Sequence, residues 1–102
     1  MNDFGLKESA IKILFSIFAK YIEIEEVILY VSRAKGNFNE RSDLDLVITK
    51  SKINTKIIGK IISEINESNF PYTIDIQLFD GISNQNLIEH INRVGKVLYK
   101  KI

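Results

Sequence analysis

The chain has 102 residues, with 14 Lys and Arg against 13 Asp and Glu for a net charge of +1, so no general attraction to DNA, RNA or another polyanion is built into it. A hydrophobic share of 45% with 26% charged residues is that of a globular domain rather than a disordered segment. The absence of cysteine excludes disulfides, thiolate metal sites and a cysteine nucleophile together. The length suits one domain over residues 1–102. The opening MNDFGLKES lacks the basic-then-apolar order of a signal peptide, and no run nears the roughly 20 apolar residues that span a bilayer. A cytoplasmic protein with no membrane association is the expectation, and a chain without disulfides agrees with a reducing compartment.

In chain order, Ile11, Leu14, Phe15, Phe18 and Ile22 recur at helical spacing and predict an amphipathic helix over about 6–21. Ile13 and Ile17 fall off that stripe, as a second core layer or as a surface for a partner. VILYVS, residues 27–32, is β-branched and aromatic and reads as a strand. RAKGNFNERS, residues 33–42, is polar and carries Gly36, so it reads as a loop or a short helical turn. LDLVIT, residues 44–49, is a second strand. Ile58, Ile61, Ile62 and Ile65 line one side of a helix over about 54–68. Pro71 ends that region, and YTIDIQLF, residues 72–79, alternates as a third strand. Ser83 or Asn84 can cap a last helix carrying Leu87, Ile88, Ile91 and Val94. The order α-β-β-α-β-α implies an α/β domain, a small mixed β-sheet with helices packed on one face.

Side chains alternate across a strand, so Asp43 and Asp45 share one face while Leu44, Leu46 and Ile48 take the other. Asp75 stands in the same relation to Ile74, Ile76 and Leu78. If both apolar sets pack against helices, the three carboxylates share the wetter face, where neighbouring strands lie about 4.8 Å apart. Like charges that close destabilise one another unless a cation joins them. Oxygen donors without His or Cys favour Mg²⁺ or Mn²⁺ over Zn²⁺. Ser32 closes the first strand, and Arg33, Ala34, Lys35 and Gly36 follow it. A hydroxyl and free backbone N–H groups at such a turn can cradle phosphate oxygens, and the basic side chains add charge. Metal at the carboxylates and phosphate at the turn are the two halves of a phosphoryl-transfer site.

The segment LYVSRAKGNFNERSDLDLVI resembles the signature of the DNA polymerase beta-like nucleotidyltransferase superfamily, in which Gly-Ser is followed by ten residues and then Asp-x-Asp; here Ser32 is followed by ten residues and Asp43-Leu44-Asp45. FPYTIDIQLFD is similar to the strand that supplies the third carboxylate of the minimal nucleotidyltransferases. The resemblance runs over essentially the whole chain and implies a nucleotidyltransferase palm. By that resemblance, Asp43 and Asp45 hold two divalent cations that bridge a triphosphate. Asp75 shares one metal and helps draw the proton from an acceptor hydroxyl. Ser32 holds the phosphates, with Arg33, Lys35 and Gly36 beside it. The implied reaction transfers NMP, with ATP as the expected donor, and releases pyrophosphate. A palm of this length implies a partner that brings the acceptor. Minimal nucleotidyltransferases resemble antitoxins whose partner is an all-helical HEPN protein, modified on a tyrosine hydroxyl.

The chain departs from the signature at Val31, where the family has glycine. Glycine lets backbone approach a phosphate closely and adopt angles that a β-branched residue resists. The alternative reading is accordingly a non-catalytic module that masks a partner's surface. The remaining candidates have plainer readings. Asp80 beside Gly81 reads as a turn residue, and the single histidine, His90, as a solvated residue on a polar helix flank. Tyr30 and Phe38 read equally as packing residues or as a base-stacking platform. With +1 net charge, direct nucleic-acid binding is not expected.

Overall fold

A computed structural model of the protein describes residues 6–30, 44–49 and 54–101. Among these, three helices and a four-stranded sheet follow one another as α1 (Glu8–Phe18), β1 (Glu26–Tyr30), β2 (Leu44–Thr49), α2 (Thr55–Glu67), β3 (Ile74–Leu78), a 3₁₀ turn (Phe79–Gly81), α3 (Gln85–Val94) and β4 (Lys96–Lys100). The sheet order is β3-β2-β1-β4. Strand β1 runs antiparallel to both β2 and β4, whereas β2 and β3 are parallel. The sheet is therefore mixed, as the element pattern implied.

Both capped helices start at asparagine. The Asn54 side chain accepts from the Ile57 N–H at 3.1 Å, and Asn84 accepts from Asn86 and Leu87 at 2.9 and 3.2 Å. Each satisfies backbone donors that the first helical turn leaves open. Helix α2 buries Ile61 and Ile65, with Ile58 and Ile62 packed at the rim of the same core. Helix α1 is apolar on several sides, and its buried residues are Ala10, Leu14, Ile17 and Phe18. The buried face is thus rotated from the predicted stripe. Ile17 belongs to the core, while Phe15 is 40% and Ile22 is 74% exposed. Ile22 lies beyond the helix end at Phe18, so helical spacing no longer governs it. Lys20 and the Tyr21 hydroxyl reach Glu64 at 3.5 and 3.1 Å and tie the end of α1 to α2.

Helices α1 and α2 cover one face of the sheet, over Val27, Leu29, Leu44, Leu46, Ile48 and Ile76. Helix α3 lies on the second face, where its Ile91 packs with Tyr30 and Val47. Apolar side chains on both faces of β1 and β2 require cover on both sides, and the Leu87–Ile91 stripe of α3 provides it on the second.

The fourth strand, β4, adds an element beyond the predicted order. Its Leu98 is buried in the main core and the adjacent Tyr99 packs against the same core, so simple alternation is broken. A register shift against β1 between Val27 and Ile28 accommodates this. The Tyr99 ring meets Phe15 and Phe18 with centroids 5.4 Å away in each case. The third strand also ends one residue earlier than its alternation suggested, and Asp80 sits in the 3₁₀ turn as expected of a turn residue.

Gly95 joins α3 to β4 with φ −66° and ψ 146°, angles open to any residue, so space is what it supplies. A Cβ there would meet the Ile91 carbonyl oxygen at 2.5 Å and Ile28 Cγ2 at 2.6 Å. Gly95→Ala has to push the end of α3 away from β1, at a cost of about 1–3 kcal/mol. In a domain of this size each kcal/mol lowers Tm by roughly 4–8 °C. Thermal unfolding followed by circular dichroism checks this, and an unchanged Tm would refute the close approach.

Candidate active site

The site is built by the pairing of three strands. Tyr30 of β1 is the register partner of Asp45 of β2, and Asp45 is the register partner of Asp75 of β3. All three side chains point away from the face that α1 and α2 cover, because their strand neighbours Leu29, Leu44, Leu46, Ile74 and Ile76 belong to that core. Tyr30, Asp45 and Asp75 therefore form one transverse row on the second face. Asp75 is exposed, Asp45 half-buried and Tyr30 buried. The shared face expected for Asp45 and Asp75 is observed. Asp43, Ser32, Arg33, Lys35 and Gly36 lie outside the described residues, as do Val31 and Phe38.

The row sits where the chain leaves and re-enters the sheet. Tyr30 is the last residue of β1, and Leu44 opens β2 with its N–H on the Thr73 carbonyl at 2.9 Å. The segment that carries the serine-to-aspartate signature thus has both its anchors at this row. On the next row, Gln77 of β3 pairs with Val47 of β2, and Gln77 Nε2 donates to the Tyr30 hydroxyl at 3.5 Å.

The open reading of Tyr30 is resolved here. Tyr30 is a packing residue, 3% exposed, between Val47 and Ile91, and is closed off from stacking on a base. Its hydroxyl nonetheless faces the carboxylates. Burial first, and then the negative charges of Asp45 and Asp75, push the Tyr30 phenol up to about 12. Strand phase puts Gln77 on the face of Asp75 but does not point to Tyr30; the signal that could have found Tyr30 is the antiparallel register of β1 on β2.

The donors of the row are all oxygens, and two carboxylates directly opposite on adjacent strands repel. That set fits a hard divalent cation such as Mg²⁺ or Mn²⁺. Among the described residues no group of three or more His, Cys, Asp or Glu side chains comes together; the row supplies two, and the third candidate is Asp43. A concavity of about 600 Å³, lined by Tyr21, Lys56, Gly59, Lys60, Ser63 and Glu64, holds none of the predicted site residues. No helix of the described residues is long and apolar enough to cross a membrane.

The fold favours the neutral Tyr30 phenol, so its contribution to stability is complete below about pH 10, the unfolded tyrosine value. It is lost as pH rises toward about 12. The Tm of the wild type should fall more steeply across that interval than the Tm of Tyr30→Phe. Parallel curves would mean that Tyr30 is not perturbed.

The sequence profile described as "Polymerase beta, Nucleotidyltransferase" matches residues 12–102. No curated protein matches the chain. Among solved structures, a toxin–antitoxin crystallised with AMP-PNP superposes with a TM-score of 0.70 at 16% identity, over 94% of this chain and 75% of that one. A mutant of the toxin–antitoxin MntA-HpeT gives 0.69 at 14% identity, again over 94% and 75%. A putative nucleotidyltransferase from Sulfolobus solfataricus gives 0.55 at 16% identity, over 95% and 92%. At these identities the structural likeness speaks to the fold. The profile, which runs from within α1 to the end of the chain, speaks to descent: the chain belongs to the polymerase beta nucleotidyltransferase family.

Proposed function

We propose that this chain transfers AMP from ATP to a hydroxyl on a partner protein, a tyrosine of an all-helical HEPN toxin, and so acts as the antitoxin of a two-gene system in the cytoplasm. The observation that carries the reading is the in-register Asp45–Asp75 pair in a chain of the nucleotidyltransferase family. The similar folds described as toxin–antitoxin, one of them with AMP-PNP, support the choice of partner and of nucleotide.

In this reading Asp43, Asp45 and Asp75 hold Mg²⁺, or Mn²⁺ in its place. The cation supplies charge neutralisation for the triphosphate and its transition state. Ser32 donates its hydroxyl to the phosphates, Arg33 and Lys35 add positive charge, and Gly36 keeps the turn open for their approach. The acceptor oxygen attacks the α-phosphorus in line, the bond from that phosphorus to the pyrophosphate oxygen breaks, and Asp75 takes the acceptor's proton. Binding the partner brings the hydroxyl to the exposed side of Asp75 and excludes water as a competing acceptor.

Val31 in the signature's glycine position favours a second reading, a binding module that silences the partner by covering it. Incubation with α-labelled ATP, Mg²⁺ and the proposed HEPN partner separates the two. The proposal expects label on the partner, lost with EDTA and reduced about 100-fold or more in Asp43→Asn with Asp45→Asn. Full transfer by that double variant would sink the assignment of these residues. Complex formation without transfer, with ATP binding only after Val31→Gly, would select the masking module.

A further inference from the structure

A tyrosine buried to 3% exposure is an odd choice if packing were its only task. Phenylalanine would fill the same space between Val47 and Ile91 without the cost of burying a hydroxyl. The hydroxyl must therefore be matched by polar neighbours, and those among the described residues belong to the site. Gln77 donates to it from β3 at 3.5 Å, which leaves the phenol's own proton to be given away. The acceptors that face it are the carboxylates of Asp45, its register partner, and of Asp75, the next residue along the row. Gln77 stands two residues after Asp75 on the same face of the same strand.

We infer that Tyr30 is a positioning residue for the carboxylate pair: its phenol, in the same row as Asp45 and Asp75 and braced by Gln77, orients the carboxylates for a divalent cation. The inference rests on the nucleotidyltransferase reading of the site. Two like charges opposite each other on adjacent strands tend to turn apart. A neutral O–H beside them lowers that repulsion when its proton is given to a carboxylate oxygen. An outer hydrogen bond of this kind orients a ligand without touching the metal, and its loss typically costs 10–100-fold in metal affinity. Gln77 acts through Tyr30, by holding the phenol oxygen so that its proton points toward the acids.

The test uses Mn²⁺ alone, with free and bound ion counted by electron paramagnetic resonance. Wild type is compared with Tyr30→Phe, Gln77→Leu, the combination of these two, and Asp45→Asn with Asp75→Asn. The inference expects Tyr30→Phe to raise the Kd for Mn²⁺ about 10-fold or more and Gln77→Leu to raise it less. The combined variant should match Tyr30→Phe, since residues that act in series are not additive. A general loosening of the fold would give additive losses instead, and additive losses would overturn the series arrangement on which the inference stands. If Tyr30→Phe binds Mn²⁺ as wild type does while the aspartate variant does not, the inference falls and the site reading survives. If wild type binds no more Mn²⁺ than the aspartate variant, both fall. Should Tyr30→Phe fail to fold, Gln77→Leu decides, and an unchanged Kd in that variant refutes the inference.

Discussion

The two-residue alternation of β2 sets the position of everything else in the site. Leu44, Leu46 and Ile48 enter the main core, and burying three such side chains is worth on the order of 1.5–3 kcal/mol each. A slip of one residue would drive Asp45 into that core and turn the leucines outward. The face that Asp45 occupies is thus enforced by hydrophobic burial on the opposite side, with no need for any local interaction at the carboxylate. The same logic holds in β3, where Ile74, Ile76 and Leu78 pack toward the main core and leave Asp75 and Gln77 on the second face.

Topology then decides which acids meet. A parallel neighbour cannot be reached by a hairpin, so β3 follows β2 through a crossover, here α2. The crossover returns the chain to the end where β2 began and sets Leu44 against Ile74 and Asp45 against Asp75. An antiparallel return would have put the start of β3 at the opposite end. The antiparallel β1 contributes in the other direction, because its last residue, Tyr30, arrives at the row where β2 starts. One row therefore collects a strand end and two strand beginnings.

Much of this was legible in the residues, because β2 and β3 alternate cleanly and α2 and α3 carry single stripes behind asparagine caps. The family was legible through the spacing of Ser32 to Asp43 and Asp45, and the profile over residues 12–102 agrees. Three features were not legible, each for a physical reason. The buried side of α1 could not be chosen by periodicity, since Ile11, Ile13, Leu14, Phe15, Ile17 and Phe18 leave little polar contrast and the small Ala10 gives no signal. Its contacts with α2 and with Tyr99 make the choice. Strand β4 hid because Leu98 and Tyr99 both turn toward the main core across a register shift, which removes the alternation that marks a strand. Tyr30 hid because its importance lies in cross-strand register, which one strand read by itself does not contain.

The second face also shows that acidity alone does not make a site. Glu26 is a carboxylate on that face too, at the other end of β1, four residues from Tyr30 and so about 13 Å away along the strand. It is 9% exposed and accepts the Thr49 hydroxyl at 2.6 Å, from its own register partner. That carboxylate faces a neutral donor and is enclosed with it, an arrangement that satisfies a buried acid and offers little to a cation. Asp45 faces another carboxylate across the strand gap, with Asp75 open to solvent. The same sheet face holds one acid enclosed with a neutral donor and two acids that stand opposite each other on adjacent strands. That asymmetry, rather than the count of acids, is what distinguishes the two ends of this sheet face.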